Sequence, residues 1–119
     1  MAQRQTNTHT PAQDTDDYFD DATNELGAGA GYTSGGFALD GVAWGYTAGT
    51  NTWKLDADDE VVASTTLTWR HAIIYDSTPG TAGTNPLLIY QSGDADTITT
   101  GGTLTLQPHA NGLGTLVVS

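Results

Sequence analysis

The clearest pattern along the chain is the alternation of Leu67, Trp69, His71, Ile73 and Tyr75 with Thr66, Thr68, Arg70, Ala72 and Ile74. A period of two predicts a β-strand with one face turned to a core. The C-terminal half of this stretch is apolar on both parities, as is Leu87-Leu88-Ile89-Tyr90, which predicts strands covered on both faces. Upstream, Val42, Trp44 and Tyr46 alternate with Ala43 and Gly45, while Phe37 and Leu39 fall on the other parity across Asp40-Gly41. Trp53 and Leu55 form the next pair, and strands are predicted around Thr97 to Thr100, Thr103 to Gln107 and Leu113 to Val118. Trp44, Trp53 and Trp69 all lie on strand patterns and are expected in the core. His71, on the apolar parity between Trp69 and Ile73, is expected as a hydrogen-bonded core histidine. About seven or eight short strands separated by turns predict an all-β fold, a small antiparallel β-sandwich or a jelly-roll-like barrel.

Residues 1–26 break this pattern. They are polar and acidic, with Tyr18, Phe19 and Leu26 as the chief apolar anchors, and are expected as an extended N-terminal arm before a single β-domain at 27–119. Tyr18, Ala22 and Leu26 at i, i+4 and i+8, with Thr15 as a cap, predict a short helical turn from Thr15 to Leu26. The glycine-rich GAGAGYTSGG at 27–36 permits unusual backbone angles and close approach of another chain. It lacks the Lys-Ser/Thr ending of a phosphate loop, and no helix pattern follows it. DSTPGTAGTN, Asp76 to Asn85, reads as a long exposed hairpin loop, a kind of segment that usually touches something. The residues expected to contact neighbours are therefore Tyr18, Phe19, Leu26, Tyr32, Pro79 and Asn85.

Composition supports the all-β reading and narrows the partners. Within 119 residues the hydrophobic share is 37%, there are 15 glycines, and threonine is frequent. This balance favours short strands and turns over helices. Fourteen acids against three cations give a net charge of −11, so nucleic acid and anionic membranes are expected to be repelled. There is no cysteine, hence no disulfide and no thiolate metal site. Met1 to Thr10 lacks an apolar stretch of the kind a secretory leader carries, and no run approaches the ~20 apolar residues of a membrane span, so a soluble chain is expected.

Candidate chemistry is sparse. The acidic run LDADDEV at 55–61 could hold calcium outside any EF-hand spacing, or could be a solvated turn that keeps strand edges from mispairing. His9, His71 and His109 stand far apart with no zinc spacing, and no serine sits in a G-x-S-x-G elbow. The acids lie in polar runs rather than in the enclosed setting that a catalytic carboxylate requires. No catalytic residue, metal or cofactor is expected, and the chain is read as a binding module rather than an enzyme.

Four segments carry a resemblance: GYTSGGFALDG at 31–41, NTWKLDADDEV at 51–61, STTLTWRHAIIYDSTPGTAGTNPLLIY at 64–90 and GGTLTLQPHANGLGTLVV at 101–118. In this order, over about 90 residues, they resemble a family of small tailed-phage virion proteins, the head decoration or minor capsid proteins. The resemblance implies a structural protein bound to the major capsid protein at the outer surface of the phage head. A homo-oligomer follows, with a trimer among the arrangements open to it. The acidity agrees with an outer position, since packaged DNA would repel such a chain. A second reading is a tail or baseplate-associated module that recognises host glycans, with tryptophan and tyrosine stacking on sugars and nearby carboxylates binding their hydroxyls.

Overall fold

The computed structural model describes residues 1–118, and of Arg4 and Gln5 the backbone alone. Nine strands run in order: β1 (Ala2–Thr6), β2 (Phe37–Ala38), β3 (Ala43–Thr47), β4 (Thr52–Asp56), β5 (Glu60–Thr65), β6 (Thr68–Tyr75), β7 (Leu87–Ile98), β8 (Gly102–Leu106) and β9 (Gly114–Val117). They form a four-stranded sheet in the order β2-β1-β6-β7, a three-stranded sheet β3-β4-β9 and a two-stranded ribbon β5-β8. All pairings are antiparallel. The fold is all-β and sandwich-like, and it is not a closed barrel.

β6 follows the alternation in its sequence. Trp69 is buried, Arg70 exposed and His71 half-buried, and from Ala72 to Tyr75 every residue is buried. This stretch lies in the interior of its sheet, between β1 and β7, with Phe19 and Gly35 against Tyr75. Tyr32, Phe37, Leu67, Trp69 and Leu104 form the main core cluster, with Leu26, Val62 and Leu106 packed against it. Tyr32 and Phe37 meet edge to face, their ring centroids 5.4 Å apart. Gly31, at φ +91°, brings the glycine-rich segment against Thr65, where an added Cβ would lie 2.8 Å from the Thr65 Cγ2. The close approach this segment permits is thus made within the chain.

The start of the expected arm is laid into the sheet. β1 pairs with β6 from Ala2↔Tyr75 to Thr6↔His71 and with β2 through Ala2↔Ala38 and Gln3↔Phe37. Strand pairing uses backbone groups that every residue carries, so the polar AQRQT fills the sheet without an apolar alternation. Thr6 is fully buried, and its hydroxyl accepts from the His9 backbone N–H at 3.3 Å. The remainder, to Leu26, winds over the body in turns. The helical turn expected from Thr15 to Leu26 is absent, because carboxylates compete for its backbone donors. Asp21 Oδ2 accepts from the N–H of Asp17 and Tyr18 at 3.0 and 2.9 Å, and Asp16 Oδ2 accepts from that of Ala12 at 2.8 Å.

The two strands expected at Leu87–Tyr90 and Thr97–Thr100 are one strand, β7, of 12 residues. It stays paired with β6 across a bulge: Trp69 faces Thr97 and His71 faces Ser92, leaving four residues of β7 opposite Arg70. The Arg70 guanidinium closes the bulge, donating to Asp96 Oδ1 at 2.8 Å.

Candidate functional site

Two surfaces stand out. The first is built where residues 17–21 meet the 76–86 loop. Tyr18 bridges to Pro86, the Phe19 N–H donates to the Asn85 carbonyl at 2.9 Å, and the Leu87 N–H donates to that of Asp17 at 3.0 Å. Asn85 organises the loop: its Oδ1 accepts from the Gly80 N–H at 2.9 Å. Asp76 caps the start of the loop by accepting from the Thr78 N–H, and the hydrogen bonds of Thr78 hold the Asp76 carboxyl below its usual range. Four of the expected contact residues, Tyr18, Phe19, Pro79 and Asn85, are therefore brought together.

They play different parts. Tyr18 and Pro79 are exposed and available to a neighbour, whereas Phe19 is half-buried with its ring 4.7 Å from that of Tyr75. Asn85 is buried and serves the loop itself. Leu26 and Tyr32 lie elsewhere, on the core cluster, with the Tyr32 hydroxyl donating to Glu25 Oε1 at 2.9 Å. Tyr32 and Asn85, expected as outward contacts, thus face inward; their neighbouring glycines and turn residues concealed from the sequence which way each side chain points.

The second surface is the three-stranded sheet, and here the expectation for the tryptophans is corrected. Trp69 is in the core, but Trp44 is 59% exposed and Trp53 41%. The register places Tyr46 opposite Trp53, Trp44 opposite Leu55, and Leu116 opposite Trp53 on the other side, so these residues share one face. Tyr46 and Trp53 rings are 5.1 Å apart. At one end this face is covered by the body: Leu55 is 4% exposed, and Gly114 lies where an added Cβ would be 3.6 Å from the Ile89 Cδ1. Trp44, beside Leu55 on the edge strand β3, is open, as are Tyr46, Trp53 and Leu116 beyond that end. Periodicity reports that a face is apolar and leaves open what covers it.

The opposite face is mostly polar, with Thr47, Thr52, Lys54 and Thr115 around a hollow of about 510 Å³ and the exposed Val117 beside Thr52 as its apolar exception. Lys54 Nζ lies 2.6 Å from Asp56 Oδ2, and this hydrogen bond, with that of the Ala57 N–H, holds the Asp56 carboxyl below its usual range. The chain's 14 acids all fall outside 41–55 and 97–119, so Asp56, at the strand's end, is the one acid of the three-stranded sheet. A strongly acidic protein thereby presents an uncharged aromatic face.

The remaining candidates are engaged in structure. In LDADDEV, Asp56 pairs with Lys54, the Asp58 N–H donates to the Asp40 carbonyl, and Asp59 accepts from Gln107. Among the described residues no group of three or more His, Cys, Asp or Glu side chains is placed to hold a metal ion. His71 is half-buried, stacked on Tyr90, with its Nδ1 3.0 Å from Ser92 Oγ. No helix among the described residues is long and apolar enough to cross a membrane. No family model matches the chain, and no curated protein or solved structure matches it either.

Proposed function

We propose that the chain is a non-enzymatic structural protein of a tailed-phage virion, a decoration or minor capsid protein on the outer surface of the head. It binds the major capsid protein, reinforces contacts between its subunits, and acts as a homo-oligomer. The observation that supports this reading is the division of its surface: an uncharged aromatic sheet face on a chain whose acids are gathered elsewhere. A protein that holds macromolecular neighbours needs apolar area to bury, and its remaining charge keeps it soluble and away from DNA. We assign the capsid contact to the 76–86 loop with Tyr18 and Pro79, which is exposed yet braced by Asn85 and residues 17–21. The test is co-sedimentation with heads stripped of this protein, together with their heat stability. Saturable binding at a fixed ratio to the major capsid protein, with more heat-stable heads, is expected; binding to host cells and not to heads overturns it.

The glycan-binding reading gains one observation, the exposure of Trp44, Tyr46 and Trp53 in neighbouring strands. It loses another, since the carboxylates it needs beside these rings are missing from 41–55. Titration with host surface polysaccharide while following tryptophan fluorescence decides it. A saturable change abolished in Trp53→Ala would favour glycans.

A further inference from the structure

We propose that the open half of the three-stranded sheet packs face to face on the same face of a second copy, making a two-fold sandwich of β3-β4-β9 against its symmetry mate. The proposal rests on the structural reading above and names a partner for the aromatic face.

Three observations select a second copy as the occupant. The first is geometric. One face of the sheet is covered by the chain's own body at Leu55 and Gly114 and uncovered at Trp44, Tyr46, Trp53 and Leu116, so the core reaches one corner of the face and leaves the edge strand β3 and the far ends of β4 and β9 bare. Two sheets stack about 10 Å apart with side chains interdigitating, and a single self-complementary face closes at two copies.

The second is area. An aromatic side chain buries ~150–250 Å² when fully covered, so the exposed parts of Trp44, Tyr46 and Trp53 leave on the order of 300 Å² to bury. Leu116 and Val118, the latter two residues on where its N–H continues the ladder to the Asn51 carbonyl, are both more than half exposed and add on the order of 150 Å². Two such faces together reach about 900 Å², close to the ~1,000 Å² that marks a biological interface, before any polar rim is counted.

The third is charge. Copies of net charge −11 repel at a distance, so they can meet only where acids are missing, and the segments 41–55 and 97–119 contain none. This sets a signature. Salt screens the repulsion between copies and leaves the apolar contact in place, so pairing strengthens as salt rises. Attachment of this face to a basic partner would weaken instead, and sugar binding would be nearly indifferent.

The full chain is examined by analytical ultracentrifugation at about 10–100 µM, a range that reports micromolar affinity, in salt from about 50 to 500 mM. The expected result is a species of twice the 12.4 kDa chain mass, with the dimer fraction growing with salt and tryptophan emission shifting to the blue as dimer forms. Trp44→Ser and Leu116→Asp are expected to be monomeric with melting curves that stay cooperative. Val61→Asp, at an exposed position on β5 outside the sheet, is expected to remain dimeric. A monomeric wild type throughout the range overturns the proposal, as do dimers that persist in both face variants. Trp44→Ser, on the edge strand β3 and adding no charge, decides the matter should Leu116→Asp unfold. Head binding is scored separately: a dimer that ignores heads sinks the virion reading and leaves the pairing, and a monomer that binds heads does the reverse.

Discussion

The buried His9 holds Asp16, its Nε2 3.1 Å from the Asp16 Oδ2. The other ring nitrogen, Nδ1, accepts from the Thr23 N–H at 3.2 Å, which leaves Nε2 as the donor to the carboxylate. The Tyr90 hydroxyl donates to the His9 carbonyl at 3.1 Å. His9 therefore ties together the loop at 12–16, the irregular segment at Thr23 and, through its own backbone, β7. His9→Ala is expected to lower stability by about 1–3 kcal/mol by leaving buried partners unpaired, read from urea unfolding. His9→Gln, which keeps a donor, is expected to lose less; equal losses would show that the hydrogen bonds contribute little.

Removing residues 2–6 tests the role of β1. Without it the edge of β6 is opened along Ile73, Ile74 and Tyr75, the most deeply buried stretch of the chain. The expected outcome is loss of a cooperative thermal transition, with aggregation, rather than a folded domain that merely binds heads less well. A truncated chain that melts cooperatively near the wild-type temperature would return β1 to the status of an appendage.

The acid side of the stability profile is set in part by Asp56. Its carboxyl is held below the ordinary value of 3.8, first by the hydrogen bond from Lys54 and then by that from the Ala57 N–H. A folded-state value below the unfolded one stabilises the charged form. That contribution is fully present above the unfolded value and is lost as pH falls through the folded one. The difference in melting temperature between wild type and Asp56→Asn is therefore expected to be constant at neutral pH and to shrink below about pH 4. A difference that widens on acidification would contradict the assignment.

Gly112 stands at φ +84° where an added Cβ would run into the Leu55 carbonyl, and this close approach delivers the chain to β9. Gly112→Ala is expected to cost about 1–3 kcal/mol from backbone strain. Because β9 carries Leu116, the same change is expected to weaken dimerisation in the ultracentrifuge. Unchanged stability would mean that the turn relaxes at no cost.

On the capsid side, Tyr18→Ala combined with Pro79→Ala is expected to weaken binding to stripped heads about tenfold, the effect of losing ~1.4 kcal/mol of contact. Both side chains are exposed, so thermal stability should hardly move. Head binding at wild-type strength would remove the loop from the contact.

Much of the fold was legible where apolar residues alternate. β6 and the start of β7 could be read from Leu67 to Tyr75 and from Leu87 to Tyr90, because burial on one or both faces writes itself into side-chain period. β1 was hidden, since AQRQT pairs through its backbone and leaves no such mark. The far half of β7 was hidden as well: Gly93-Asp94-Ala95-Asp96 has the composition of a turn and is a bulge held by Arg70. The candidate surface was half legible. Trp44, Tyr46 and Trp53 show the alternation of a buried strand, and nothing local distinguishes a face covered by its own chain from one left for another.

The pairing of β1 with β6 also bears on how the molecule comes into being. About 70 residues separate strand partners such as Ala2 and Tyr75, and β4 waits for β9 across a similar span. During synthesis the polar β1 emerges long before β6 and remains soluble while it waits, which an apolar strand would not. Closure of these distant pairs is an entropic search, so folding is expected on the slower, millisecond-to-second scale of β-rich topologies. A hydrophilic first strand is thus a safeguard in time as much as a piece of the sheet.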